Sequence, residues 1–460
     1  MAEGRHSAPK GRSSRATGAQ RRALANEQRL LALGEAVDRH SGVTRKAPRK
    51  PRGAHRRRTI ILVSALVVVG LLAGLLGGGY LYAQWRFSQI HRISVPSEVK
   101  PIAGQPFNIL SIGSDSRVGL SGQVARQTGA SAGSVSGQRS DVVKIIHVDP
   151  AKDSISILSI PRDTMVTLLA NQSLYGRFNR INVNYSNGPS LLAQTITANF
   201  GIPISHVVQV SFAGLINAAD AIGGVYLDFP YPSRDPFSGL VVNHPGCQLV
   251  TGFQALAVAR SRHFYYNVKG ISKWPGNNAS YSQLTSMGWE YDGTSDFGRI
   301  DRQSSFLRAM LSRLKGLYNP FTINSFLSKI PQGITLDTNF SLNELIGLAV
   351  KFHNLNPAAI QTYTIPTVSA QVAPVGDVLF VDQPAAQQML VNIFGTSITR
   401  PTNPPPNAQL QTPLPPVIAP TTSTTVVHHT TTSGAKRPTT TTTNPNNAVQ
   451  PFDPVPCTPK

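Results

Sequence analysis

Residues Thr59 to Tyr82, TIILVSALVVVGLLAGLLGGGYLY, carry no charged side chain and are mostly apolar. A helix rises about 1.5 Å per residue, so roughly 20 residues cross a hydrocarbon core, and this run suffices. A soluble core helix rarely lacks a polar face over about six turns. A cleaved signal peptide would have a shorter apolar region and a small-residue cleavage site. Here 58 residues precede the run, and Leu81 occupies the third position before a cut after Ala83. The segment reads as an uncleaved signal anchor. Arg56, Arg57 and Arg58 flank its near end, and Tyr80, Tyr82 and Trp85 cluster at its far end, where an aromatic belt would sit. The positive-inside rule then puts the amino terminus in the cytoplasm and everything beyond about residue 86 outside.

The anchor explains where the charge lies. The chain of 460 residues has a formal net charge of +21. Residues 1–58 hold 16 Lys and Arg against 4 Asp and Glu, leaving 27 against 18 for the remainder. More than half of the basic excess therefore faces the anionic inner leaflet, in an arm rich in Arg, Ala, Ser and Gly that is expected to be disordered. No nucleic-acid partner is expected, because the arm lacks aromatic interleaving and adjoins a membrane span. Cys247 and Cys457 both fall on the outer side, where disulfides survive. A bridge tying the tail to the folded domain and two unrelated thiols both fit the sequence. A zinc site does not, for want of a second pair or a His spacing.

Beyond the anchor, Phe107–Gly113 reads as a buried strand ending in a glycine turn. Asp141–Pro150 and Ser154–Pro161 read as two strands joined by a turn. Helical spacing follows over Ser190–Phe200, Ser211–Ile222, Gly252–Arg260 and Asp296–Leu317, with a strand at Val225–Phe229. Strands interleaved with helices argue for an α/β domain over roughly residues 100–395. Residues 268–294, rich in Gly, Asn, Ser and Trp, read as a surface insertion. Residues 396–460 read as a disordered Pro/Thr-rich tail.

Four polar clusters interrupt or end apolar elements. These are Gly113–Arg117 with Asp115 and Arg117, Arg139-Ser140-Asp141, Pro161-Arg162-Asp163, and a split group of Arg260, Arg262, Asp296, Arg299 and Gln303. Strand ends in α/β sheets are where ligands bind. Magnesium takes one or two carboxylates and completes its shell with phosphate oxygens and water, and Asp115 and Asp141 are candidates for that role. Arginine forks match phosphate oxygens, and a cleft with several arginines and few acids needs a polyanion to relieve its repulsion. On the last helix Asp296, Arg299 and Gln303 form a stripe beside the apolar positions Ile300, Leu307, Leu311 and Leu314. That stripe fits either a cavity rim or a solvated face with an Asp296–Arg299 pair.

Taken in order, Ser111-Ile-Gly-Ser-Asp-Ser-Arg117, Arg139-Ser-Asp141, Ser159-Ile-Pro-Arg-Asp163, Asn179-Arg-Ile-Asn182, Phe212-Ala-Gly214, Ile222-Gly-Gly224, Ala259-Arg-Ser-Arg262 and Asp296-Phe-Gly-Arg-Ile-Asp-Arg-Gln303 resemble the motifs of LytR-CpsA-Psr proteins over about residues 105–315. The resemblance implies a three-layer α/β/α extracytoplasmic domain with a central mixed sheet and an apolar tunnel for a polyprenyl chain. It implies transfer of a glycopolymer from a polyprenyl-pyrophosphate-linked donor to a peptidoglycan acceptor, with magnesium. Matched position by position, Asp115 and Asp141 look like the metal carboxylates. Arg139, Arg162, Arg260, Arg262, Arg299 and Gln303 look like the pyrophosphate clamp, with Arg117 and Asn182 as further substrate contacts. The insertion between Arg262 and Asp296 departs from the compact pattern and bears on acceptor contacts. The competing reading is a wall-binding or regulatory protein that holds the lipid carrier without chemistry. Release of free polyprenyl phosphate in the presence of acceptor separates the two.

Overall fold

The structure is a computed structural model that describes residues 18–40, 52–118, 120, 124–125, 128, 140–314, 320–403, 410–411 and 450–459. The chain divides into two units, residues 1–78 and 79–460. In chain order the elements that matter here are helices α1 (Gly18–His40) and α2 (Arg52–Ser88) and strands β1 (His91–Ile93), β2 (Phe107–Ser114), β3 (Ser140–Asp149) and β4 (Ser154–Ile160). Helix α3 (Pro189–Phe200), strand β5 (His206–Val210), helix α4 (Phe212–Ala221) and strands β6 (Val225–Phe229), β7 (Ser233–Asp235), β8 (Leu240–Val242) and β9 (Gly246–Val250) follow. Then come helix α5 (Gly252–Arg260), strands β10 (Tyr265–Asn267) and β11 (Trp289–Tyr291), and helices α6 (Asp296–Leu314) and α7 (Pro320–Lys329). The last are strand β12 (Ile334–Asp337), helix α8 (Leu342–Lys351), strand β13 (Gln361–Thr364), helix α9 (Gln383–Phe394) and strand β14 (Val455–Pro456).

In the first unit, α1 is the one helix described before α2. Its run of Ala, Leu, Glu, Gln and Arg is made of strong helix formers, enough to set the local conformation although its described side chains are exposed. The apolar body of α2 from Ile61 onward is long and apolar enough to cross a membrane.

In the second unit a seven-stranded sheet runs β1-β12-β5-β2-β3-β4-β13. It is mixed: β2 pairs antiparallel with β3 and β3 with β4, whereas β2 and β5, β4 and β13, and β1 and β12 are parallel. Alternation sends successive side chains to opposite faces. Leu110, Ile112, Ile145 and Leu158 join Leu192, Ile196 and Phe200 of α3 and Leu390 of α9 in one core. Phe107, Ile109 and Val148 join Phe340, Leu342 and Phe87 in another, with Phe326 of α7 packed against it. These two apolar layers on one sheet make the expected α/β/α sandwich. The emerging end of α2 is fixed by Tyr80 and Tyr82, whose hydroxyls donate to Asn343 and Asn324 at 2.9 and 2.6 Å.

A third core gathers Val225, Leu227, Phe229, Val258, Phe264 and Phe306 between α4, α5, α6 and a small sheet ordered β9-β6-β14. At Gly214 a Cβ would lie 2.2 Å from the Gly333 carbonyl oxygen, so only glycine lets α4 approach that turn. The strand β14 belongs to the tail. Cys457 is bridged to Cys247, and Asp453 is buried against α6. The expectation of disorder from 396 to 460 is therefore corrected at both ends: Thr402 is also buried, while 404–409 and 412–449 lie outside the described residues. The insertion is corrected as well. Trp289 and Leu284 are buried, and β10 and β11 pair within a four-stranded sheet ordered β8-β7-β10-β11.

Candidate functional site

The antiparallel pairing of β3 with β4, with Val143 opposite Ile160, brings the start of one strand beside the end of the other. Asp141 and Arg162 therefore meet, with Arg162 Nη1 2.8 Å from Asp141 Oδ1. Two further arginines arrive from the helical side. Arg262, just past α5, lies 3.5 Å from the same oxygen and 3.0 Å from Asp296 Oδ1. Arg299, one turn into α6, donates to the Asp141 carbonyl oxygen at 2.8 Å, pairs with Asp296 at 2.9 Å and reaches Asp141 Oδ2 only at 4.0 Å. Gln303, one turn further, donates to the Ala259 carbonyl oxygen at 2.9 Å and so ties α6 to the end of α5 that carries Arg260 and Arg262. Of the two readings of the α6 stripe, the cavity rim holds and the solvated face does not: the Asp296–Arg299 pair exists, but it lines the site, with Arg299 only 3% exposed.

The electrostatics follow from this crowding. Burial pushes the Asp141 carboxyl up, but Arg299, Arg262 and Arg162 outweigh it and hold it below the usual carboxylate range. Burial, only partly offset by Asp296, pushes Arg299 down to about 10, with Arg262 adding to the fall. Arg260 is lowered by burial and then by the nearby charge of Arg117. Its guanidinium lies over the Phe212 ring at 4.8 Å, and its Nη1 is buried with no hydrogen-bond partner. Asn182 donates its main-chain N–H to the Arg162 carbonyl oxygen at 3.3 Å, and its buried Oδ1 has no hydrogen-bond partner. Asp115 and Arg117 follow β2 directly, where Ser114 Oγ accepts from the Ser116 N–H at 3.2 Å. Arg139 lies outside the described residues. A cavity of about 10 Å³, the size of one water, sits among Asp141, Lys144, Arg162, Arg299 and Gln303. A larger cavity of about 890 Å³ runs past Ser116 and is lined by Val118, Leu120, Val124, Ala213, Ile216 and Ile334, among others.

Several participants escaped the sequence reading. Arg180 pairs with Asp163 at 3.4 Å and steadies the loop carrying Arg162. Lys144 is buried under the site, pushed down to about 7 by burial, with Nζ donating to Ser159 and Ser304 at 2.7 and 3.1 Å. A lysine inside the apolar strand Val-Val-Lys-Ile-Ile was the available signal. Arg302 donates to the Ser261 carbonyl oxygen at 3.1 Å, between Arg260 and Arg262, and pairs with Asp292 and Asp453. A Cβ at Gly298 would lie 2.4 Å from Asp292 Oδ2 and 2.8 Å from Arg302 Nη2, so the glycine of the Asp-Phe-Gly-Arg motif makes room for that pair.

The LytR_cpsA_psr family model matches residues 86–267 and 287–394. The chain belongs to the LytR_cpsA_psr family. It is 28% identical over 342 residues to the probable cell wall biosynthesis protein LcpB of Corynebacterium glutamicum, covering 73% of each chain. It is 25% identical over 325 residues to the polyisoprenyl-teichoic acid–peptidoglycan teichoic acid transferase TagV of Bacillus subtilis, covering 68% of this chain and 71% of that one. A LytR-Csp2A-Psr enzyme from Actinomyces oris is similar at 21% identity and a TM-score of 0.47, over 66% of this chain and 95% of that one. As a LytR_cpsA_psr protein the chain departs from the family model at residues 268–286, inside the insertion.

Proposed function

We propose that the arginines around Asp141 clamp the pyrophosphate of a polyprenyl carrier and that the 890 Å³ cavity beside Ser116 takes the prenyl chain. The protein is a cell-wall glycopolymer transferase that attaches a lipid-linked glycopolymer to peptidoglycan. One observation carries the clamp: Arg260 is half-buried, its buried Nη1 has no hydrogen-bond partner, and it has no ion pair among the described residues, with Arg117 and Arg262 opposing the pull of Asp141 and Asp235. Such a group costs stability until an anion satisfies it. A diphosphate suits the site because each bidentate fork takes two oxygens. Arg260 also stacks on Phe212, the neighbour of Ala213 in the cavity wall, so anion and apolar chain would bind side by side.

In the reaction an acceptor sugar hydroxyl oxygen attacks the sugar-proximal phosphorus. The bond from that phosphorus to the bridging oxygen breaks, polyprenyl phosphate leaves, and the hydroxyl proton is released. Arg162, Arg262 and Arg299 hold the phosphates in line and neutralise charge developing on their oxygens. Asp141 is paired with those arginines and so is a weak base; its work is to hold them in place.

Asp115 and Asp141 offer hard carboxylate oxygens, and Asp141 Oδ2 is approached only at 4.0 Å while Oδ1 takes the two closer arginines. No three His, Cys, Asp or Glu converge among the described residues. This donor set fits magnesium, which uses one or two carboxylates and substrate phosphates and, when bound, adds positive charge at the phosphate oxygens. The Arg56–Arg58 cluster supports an anchor with its amino terminus in the cytoplasm and the folded domain outside.

Binding of polyprenyl pyrophosphate by full-length protein in detergent tests the clamp. Arg260→Ala should weaken it by about 10- to 150-fold, the loss of one charge-assisted contact of about 1.5–3 kcal/mol. Unchanged affinity in a folded variant removes Arg260 from the clamp.

A further inference from the structure

The segment that the family model leaves out adjoins a row of aromatic side chains. Six aromatic rings lie centroid to centroid beside it, and one of them, Trp274, belongs to it. Phe237 is 4.4 Å from His263, His263 is 6.4 Å from Tyr291, and Tyr291 is 5.1 Å from Tyr265. Tyr265 is 5.3 Å from Trp274, and Trp274 is 5.0 Å from Trp289. Trp289 is buried and roots the row, whereas Phe237 is 71% exposed and Tyr291 39%. A soluble surface keeps such a contiguous aromatic strip chiefly where something binds it.

The row is built onto the clamp. His263 follows Arg262 in the chain. Buried Asp235 accepts from Ser261 Oγ at 2.7 Å and the His263 N–H at 3.0 Å through one oxygen, and from the Phe237 N–H at 2.9 Å through the other. Arg302 holds Asp292, next to Tyr291, and the Ser261 carbonyl oxygen together. Asp235 and Arg302 thus tie the backbone at Phe237, His263 and Asp292 to the segment that carries Arg260 and Arg262.

Polar groups interleave with the rings. Trp274 donates its indole N–H to Asn277 at 3.0 Å, Arg234 donates to Asn243 at 2.7 Å, and Lys269 and Lys273 are exposed nearby. Flat ring faces edged by amides and cations suit a ligand that is itself apolar on one face and hydroxylated at its rim. Sugar rings have that character, with C–H groups on the face and hydroxyls at the edge. A prenyl chain does not, and on the reading above it occupies the cavity beside Ser116. The occupant must also be continuous with whatever the clamp holds, and both substrates of the transfer carry sugars next to the reacting phosphate.

We infer that the strip from Phe237 to Trp274 binds a run of uncharged sugar residues belonging to the glycan joined at the clamp. This rests on the reading of the protein as a glycopolymer transferase. Donor polymer and peptidoglycan strand share this chemistry, and the test separates them. Full-length protein in detergent is titrated with a β-1,4-linked N-acetylglucosamine hexamer, standing for the acceptor backbone, and with a galactose hexamer, standing for a neutral donor glycan. Tryptophan fluorescence and calorimetry report binding. At least one probe should bind saturably, and Phe237→Ala and Tyr291→Ala should each weaken it by about fivefold or more, since aromatic anchors dominate such surfaces. Tyr291→Phe, which keeps the ring, should bind within about twofold of wild type, and all three variants should melt normally and retain polyprenyl pyrophosphate. An effect on the N-acetylglucosamine hexamer assigns the strip to the acceptor; an effect on the galactose hexamer assigns it to the donor. Absence of saturable binding to either probe, or alanine variants that bind as wild type, overturns the inference. A change in sedimentation mass without a change in sugar binding overturns it too. None of these results touches the clamp, which fails separately if Arg260→Ala leaves lipid binding intact.

Discussion

Arg302 lies at the junction of the tail, the insertion and the Arg260–Arg262 segment, and replacing it with Met removes one charge from a completely buried group. Its Nη1 is 2.8 Å from Asp292 and 2.6 Å from Asp453, and all three side chains are 0% exposed. Removing the cation leaves two buried carboxylates to find protons or water. Breaking a buried pair from one side costs about 3–5 kcal/mol. At roughly 2 °C per kcal/mol for a domain of this size, the melting temperature should fall by about 6–10 °C. The deficit has a pH signature. Burial pushes Asp453 up to about 6 even beside Arg302, so the folded state binds its proton more tightly than the unfolded chain does. Stability from that group is full at low pH and is lost as pH rises through about 6. Arg302→Met should therefore fall furthest at pH 8 and less at pH 5.5. Asp453→Asn, which keeps an acceptor and removes a charge the interior resists, should stay within about 1 kcal/mol of wild type. Thermal unfolding followed by circular dichroism measures both. If Arg302→Met melts within about 2 °C of wild type, the pair does not hold the tail in place, and if Asp453→Asn falls as far as Arg302→Met, the interior does not resist the Asp453 charge.

Near the emerging end of the anchor, His206 lies 3.2 Å from Asp337 and 3.0 Å from Glu344, and these carboxylates outweigh burial and raise it. Glu98, pushed up to about 7 mainly by burial, adds to the same slope: both groups hold protons more tightly folded than unfolded, so the melting temperature should decline from pH 6 to pH 8. His206→Gln should flatten that decline, and an unchanged slope contradicts the assignment. Asp115→Asn and Asp141→Asn should each abolish most transfer and raise the magnesium concentration that residual activity needs. An unshifted magnesium curve with a lowered melting temperature leaves them a structural role only. Protease added to wall-stripped cells should digest the carboxyl-terminal tail and spare an amino-terminal tag; loss of the tag reverses the orientation.

What could be read from the sequence was what is local or ordered along the chain. The apolar run, the strands Phe107–Ser114 and Ser154–Ile160 and the glycine-closed helices announce themselves through period and composition. Eight short motifs in order located Asp141, Arg162, Arg262 and Arg299, which the fold brings onto one carboxylate. Spacing alone left the face of α6 open, because an i,i+3 pair forms whether or not a cavity lies beneath it. The misses share a cause. Arg302, Asp453 and Lys144 are charged and buried, and charged residues are read as exposed unless a partner is known. The partner of Arg302 lies 151 residues away, beyond low-complexity sequence that hides a folded terminus. The Cys247–Cys457 bridge stayed open for the same reason, since nothing local reports a contact across 210 residues.

The central claim is that a phosphorus–oxygen bond, rather than a sugar–oxygen bond, is broken at the Asp141 site. It is tested most directly by identifying the lipid product. Full-length protein is supplied with a polyprenyl-pyrophosphate-linked glycan labelled in both phosphates, together with peptidoglycan. The account predicts one polyprenyl monophosphate released for each glycan attached, one labelled phosphate retained in the wall product, and loss of both in Arg262→Ala. Release of polyprenyl pyrophosphate with an unlabelled wall product would show glycosyl transfer and contradict it.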